Sequence, residues 1–150
     1  RLCEPVESYG KAAVMALANK GQLPRFSKYS GALEWANCLF LWVNLGGASG
    51  YANAFSEGGR YMMWFGGSRM HKDSPIVKRL IKATAAKSTS ACSEPVLLFV
   101  RREGEAYCCL GRVRWAAADL LSSPVQFKWE LIDLPLFEGT VHFKLLREAS

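Results

Sequence analysis

The sequence predicts an α+β domain: a curved antiparallel sheet or partial β-barrel with about two helices packed on it. Three observations point there. Short apolar segments separated by turn residues fill the last third of the chain, the pattern of antiparallel strands. Two earlier segments carry apolar residues at helical spacing. Half of the 150 residues are hydrophobic and 21% are charged, a balance that can close one core. The expectation is therefore one domain over residues 1–150, without internal repeats. The chain opens on Arg1 rather than Met, as a piece of a larger protein would, so further domains are among its expected partners.

Taken in order, residues 4–20 read as a helix, with Val6, Ala13 and Leu17 on one side and Gly21 as the stop. Residues 23–31, with Pro24, Ser27, Ser30 and Gly31, read as a loop. Residues 34–44 are apolar and aromatic enough for a strand, and the glycines at 46, 47 and 50 mark a loop after it. Residues 61–65 form a short strand ended by Gly66 and Gly67. Asp73, Ser74 and Pro75 start a helix, because proline in the first turn lacks only an N–H that would be unsatisfied anyway. Ile76, Val77, Leu80 and Ile81 give that helix its apolar face. Residues 87–93 are a polar connector. Residues 96–102 and 106–115, joined by a turn at 103–105, form a hairpin. Residues 125–132 alternate, with Val125, Phe127, Trp129 and Leu131 on one face. Residues 140–146 close the chain as a further strand, which would make His142 a sheet residue.

Several function classes find no support. No apolar run reaches the roughly 18 residues a membrane helix needs. The longest, residues 38–43, suits a buried strand, so no membrane partner is expected. Five cysteines are an odd set, and a closed disulfide framework would leave one thiol over. Cys108 and Cys109 would face opposite ways in a strand. Free thiols imply an intracellular protein, nuclear in a eukaryote and cytoplasmic in a bacterium. The two histidines, His71 and His142, are far apart, and no metal-ligand spacing, phosphate loop or nucleophile elbow occurs. The expectation is a domain that is not an enzyme and uses no metal or cofactor.

The charge is more informative. The formal net charge is +6. Between Gly58 and Lys82, Arg60, Arg69, Lys72, Lys78, Arg79 and Lys82 face only Asp73. A solvated helix face accounts for the lysines; it accounts less well for arginines interleaved with aromatics. Tyr61 and Trp64 offer surfaces on which a base can stack, and the flanking glycines let a backbone approach a partner. Ser68 and Arg69 can meet a base edge. Arg60, Lys72, Lys78, Arg79, Lys82 and Arg112 can meet phosphates. Trp42, beside the glycine loop, and Tyr107, in the hairpin, are second choices for a base pocket, whereas Trp115 and Trp129 are assigned to packing. The competing reading makes Trp64 and Phe65 core residues and the glycines turn formers.

A family resemblance bears on this. Leu98-Phe99-Val100-Arg101, then Tyr107 with Leu110-Gly111-Arg112, then Pro124, Phe127, Trp129 and Leu131, then Leu134-Pro135, follow one another in the chain. The progression resembles the C-terminal recognition domain of helicase-nuclease restriction systems that attack modified DNA, broadly similar to SRA/PUA-type base readers. Trp64 to Met70 falls where that family has a tryptophan strand followed by polar residues. Here Phe65, Gly66 and Gly67 stand where the family typically has Gln, Ser and Asn, so the polar set is displaced. The resemblance spans residues 58–135 and implies a non-catalytic reader of 5-methyl- or 5-hydroxymethylcytosine in duplex DNA. An RNA or single-strand binder, and a protein-interaction domain with an incidental basic surface, are the alternatives.

Overall fold

The computed structural model describes residues 32–34, 39–45, 52–67, 70–84, 95–122 and 124–148, with backbone alone at 32–34 and 84. The strands are β1 (Ala32–Glu34), β2 (Leu39–Leu45), β3 (Ala54–Ser56), β4 (Tyr61–Phe65), β5 (Val96–Arg102), β6 (Cys108–Asp119) and β7 (Gln126–Leu131). The helices are α1 (Pro75–Thr84) and α2 (Val141–Glu148), with short 3-10 turns at Glu57–Gly59 and Leu134–Leu136. The strands form one curled sheet, a half-barrel, in the order β1-β2-β5-β6-β7-β4-β3. Every neighbouring pair is antiparallel except β2 and β5, which run parallel with Leu39 beside Val96. The partial barrel expected from the sequence is present, with this one parallel pair among its antiparallel neighbours. β3, β4 and α1 lie between β2 and β5 in sequence, enough chain for the crossover a parallel pair requires.

One face of the sheet carries the main core. Leu39, Leu41 and Val43 of β2, Met62 and Trp64 of β4, Leu98 and Val100 of β5, and Phe127 and Trp129 of β7 are all buried there. Both helices close over this inner face, α1 through Val77, Leu80 and Ala83 and α2 through Phe143 and Leu146. The Trp115 indole N–H donates to the Ile81 carbonyl at 3.1 Å, satisfying one of the acceptors that the last turn of α1 leaves open.

The α1 start, the β5–β6 hairpin and the β7 alternation agree with the sequence pattern. Cys108 and Cys109 do face opposite ways, one in the main core and one against a smaller cluster on the outer face. Two expectations are corrected. The segment from residue 34 to 44 is not one strand, because Glu34 ends β1 and pairs antiparallel with Leu39 at the start of β2. Apolar composition alone does not distinguish one long strand from two that fold back. Residues 140–146 are not a strand either; α2 begins at Val141, directly after Thr140, and takes up the rest. Its buried residues, Phe143 and Leu146, are three apart, a helical rather than a sheet period. Thr140 caps it, its hydroxyl accepting from the Phe143 N–H at 3.3 Å. His142 is therefore an exposed helix residue. The expected helix at 4–20, the loops at 23–31 and 46–50 and the connector at 87–93 lie outside the described residues.

Candidate nucleic-acid interface

Strand alternation decides which side chains reach the outer face. In β4, Met62 and Trp64 point inward and Tyr61, Met63 and Phe65 outward. In β7, Phe127 and Trp129 are buried, so Lys128 and Glu130 stand outside. Register then aligns Arg114 of β6, Glu130 of β7 and Tyr61 of β4 in one cross-strand row, with Lys128 opposite Met63 in the next.

The result is a strip of charge around one phenol ring. The Lys128 Nζ lies 4.3 Å from the centre of the Tyr61 ring and the Arg60 Cζ lies 5.2 Å from it, both within cation–π range. Arg114 forks onto Glu130, donating from Nε at 2.9 Å and from Nη2 at 3.3 Å. The Arg60 guanidinium is 4.0 Å from the same carboxylate, and Lys128 pairs with Glu57 at 3.4 Å. The hydrogen bonds from Arg114 hold the Glu130 carboxyl below its ordinary range.

Further along the same face, β2, β5 and the residue just before β6 build a second aromatic group. Trp42 and Phe99 stack with centroids 4.3 Å apart, and Tyr107 meets Trp42 edge-on at 4.9 Å. The Arg101 guanidinium covers the Tyr107 ring at 4.4 Å and donates to the Asn44 side-chain carbonyl at 2.5 Å. Burial pushes the Tyr107 hydroxyl pKa up, against the opposing influence of Arg101 and a hydrogen bond with Asn44. The Trp42–Phe99 stack leaves no space for a base between the rings. The part of this group that a ligand can address is its rim: Tyr107, Arg101 and Asn44.

The remaining predicted residues are dispersed. Trp64 is 2% exposed and packs against Phe127 and Trp129, so its assignment to a base pocket is corrected to core. The cause is parity: positions 61 and 64 of a strand face opposite ways. The glycines also serve packing. Gly59, at φ +98°, admits the Phe143 ring and the Arg147 side chain where a Cβ would collide with both, and Gly66 packs against Val125 and Met70. Ser68 and Arg69 lie outside the described residues. Lys72, Lys78 and Lys82 are exposed, and Arg79 is half-buried. Lys78, Arg79 and Lys82 belong to the helix that covers the inner face, whereas Arg60 and Arg112 belong to the outer one. The expected single phosphate surface is thus two surfaces.

Arg112 is committed to a structural clamp. Its backbone N–H donates to the Asp133 Oδ2 at 2.8 Å, and its guanidinium donates to both carboxylate oxygens, at 3.3 and 2.8 Å. Gly111, at φ +75°, makes room, because a Cβ there would collide with the Asp133 carboxylate. These hydrogen bonds lower the Asp133 pKa, so its contribution to stability is complete above about pH 5 and is lost as pH falls through the lowered value. Asp133→Ala should cost about 1–3 kcal/mol at neutral pH, since it leaves the Arg112 N–H without its acceptor. Denaturant unfolding from pH 7 to pH 3 checks this: the variant should lose stability less steeply than the parent as acid is added.

Sequence reasoning missed Arg114, Lys128 and Glu130. Their signal was the period-two pattern of the last strands, which places them on the face opposite Phe127 and Trp129. Elsewhere a cavity of about 280 Å³ opens between the β5–β6 turn and α2, lined by Arg102, Glu105, Ala106, Cys108, His142, Leu145 and Leu146. It contains none of the predicted pocket residues. Among the described residues no three His, Cys, Asp or Glu side chains gather as a metal site, and no helix is long and apolar enough to cross a membrane. No protein-family model matches this chain, and no curated protein matches it.

Proposed function

We propose that this domain binds duplex DNA without cutting it and reads a modified cytosine, 5-methyl or 5-hydroxymethyl, through the outer face of its sheet. The observation that carries the reading is the half-buried Tyr61 ring, with Lys128 and Arg60 close to its face and Arg114 on the same cross-strand row. A nucleic-acid strand asks for that combination: a flat surface for a base and cations beside it for the phosphates. Tyr107, Arg101 and Asn44 add a second ring, a guanidinium and an amide, groups suited to a base edge. The resemblance of the β5, β6 and β7 segments to modified-DNA recognition domains supplies the choice of modified cytosine over other nucleic acids.

The test is a titration of the whole chain against otherwise identical duplexes carrying cytosine, 5-methylcytosine, 5-hydroxymethylcytosine or methylated adenine, with single-stranded DNA and RNA alongside. Tighter binding to one cytosine-modified duplex, weakening with added salt as released counterions require, is the expected result. Preference for single strands would move the reading to a single-strand binder. Affinity indifferent to both salt and modification would end the nucleic-acid reading.

A further inference from the structure

On the outer strip, three cations meet two carboxylates. Arg60, Arg114 and Lys128 surround Tyr61, and Glu130 and Glu57 hold them. The arrangement is asymmetric in exposure. The side chains of Arg60 and Arg114 are 61% and 54% exposed, whereas that of Glu130 is 24% exposed. Glu130 thus lies lower on the sheet, while the guanidinium groups that engage it reach into solvent. It is anchored in β7, between Arg114 and Tyr61 in the register, so it stays with the strip whatever the arginines do.

A carboxylate and a phosphodiester present the same feature to an arginine: two oxygens sharing a negative charge, matched by two parallel N–H donors. Arg114 already makes that fork with Glu130. We infer that Glu130 occupies the position of a phosphate, holding Arg114 and Arg60 until a nucleic-acid backbone displaces it. This inference rests on the nucleic-acid reading above and adds a restraint to it. Each phosphate that lands on the strip must compete with an internal anion. Sequence-independent affinity is thereby kept low, and discrimination is left to contacts with the base, since phosphate contacts carry no sequence information.

Glu130→Gln removes the charge and keeps the shape. The experiment measures its affinity for an unmodified duplex over a series of salt concentrations, beside the parent and Glu103→Gln, which removes an exposed carboxylate from the β5–β6 turn. Glu130→Gln should bind several-fold tighter at low salt, and the slope of log affinity against log salt should steepen by about one, the signature of one more engaged phosphate. The gain should be equal on modified and unmodified duplexes. Glu103→Gln should change neither affinity nor slope. Thermal unfolding confirms that the variants are folded; if Glu130→Gln melts early, Glu57→Gln, at an exposed position, carries the same test through Lys128 and must also tighten binding. Parent-like or weaker binding by a folded Glu130→Gln overturns the inference alone, leaving Glu130 as a brace for the arginines. Absence of duplex binding by the parent and every variant at low salt overturns the nucleic-acid reading and this inference with it.

Discussion

Replacing Trp64 by alanine should destabilise the domain by about 3–5 kcal/mol, the range for deleting a large aromatic from a packed core. The ring is 2% exposed, and its centroid lies 5.7 Å from that of Phe127 and 6.5 Å from that of Trp129. Phe127 and Trp129 are stacked on each other at 5.1 Å, so the three rings support one another across β4 and β7. Their strands are tied at Trp64 opposite Phe127 and Met62 opposite Trp129, which limits how far the backbone can collapse into the void. Small domains have total stabilities of roughly 5–15 kcal/mol, so the loss is a large share of the total and the variant should unfold at a clearly lower denaturant concentration than the parent. Urea unfolding followed by circular dichroism measures the loss, and Trp64→Phe, which keeps most of the ring volume, should recover much of it. Near-parental stability in Trp64→Ala would show that the indole is not core. Any loss of DNA binding in Trp64→Ala then follows the folded fraction, whereas the same substitution at Tyr61 should lower affinity without unfolding the chain.

The contrast between Tyr61 and Trp64 shows what the sequence could convey. The alternation of residues 125–132 sorted inside from outside correctly because Phe127 and Trp129 are flanked by the polar residues Gln126, Lys128 and Glu130. Residues 61–65 are apolar or aromatic at every position, so no polar residue marked which parity faces water. The start of α1 was legible through Ser74 and Pro75, since proline in the first turn is a local signal. The helix at Val141–Glu148 was not, because two buried positions over eight residues barely establish a period, and a histidine between apolar neighbours imitates a strand. Charge was misleading for a different reason. Arg60 through Lys82 are close in sequence, yet they are shared among a turn, a loop and a helix that covers the opposite face. Arg114 and Lys128 are far from Tyr61 in sequence and share its strip only because β6 pairs with β7 and β7 with β4. The candidate site was thus half legible: Arg60 and Tyr61 appear in the sequence reading, while their cationic partners depend on register.

Charge reversal on the two surfaces should separate them cleanly. If the outer strip holds the DNA backbone, changing Arg60, Arg114 and Lys128 together to glutamate removes about three phosphate contacts and adds repulsion. Affinity should fall roughly 100-fold or more near 0.1 M salt, and the salt slope should drop by about three. The same treatment of Lys72, Lys78 and Lys82, which belong to α1 and its approach on the opposite side, changes net charge by the same amount and serves as its control. Uniform attraction between a basic protein and DNA would make the two triple variants equally weak. A located interface makes the first far weaker than the second. The pairs that the strip variant disrupts are exposed and individually worth little to stability, so both variants should stay folded, which circular dichroism confirms. Reversal of the order, with the helix variant losing binding and the strip variant keeping it, would transfer the interface to α1 and leave the Tyr61 strip as an ion-paired sheet surface.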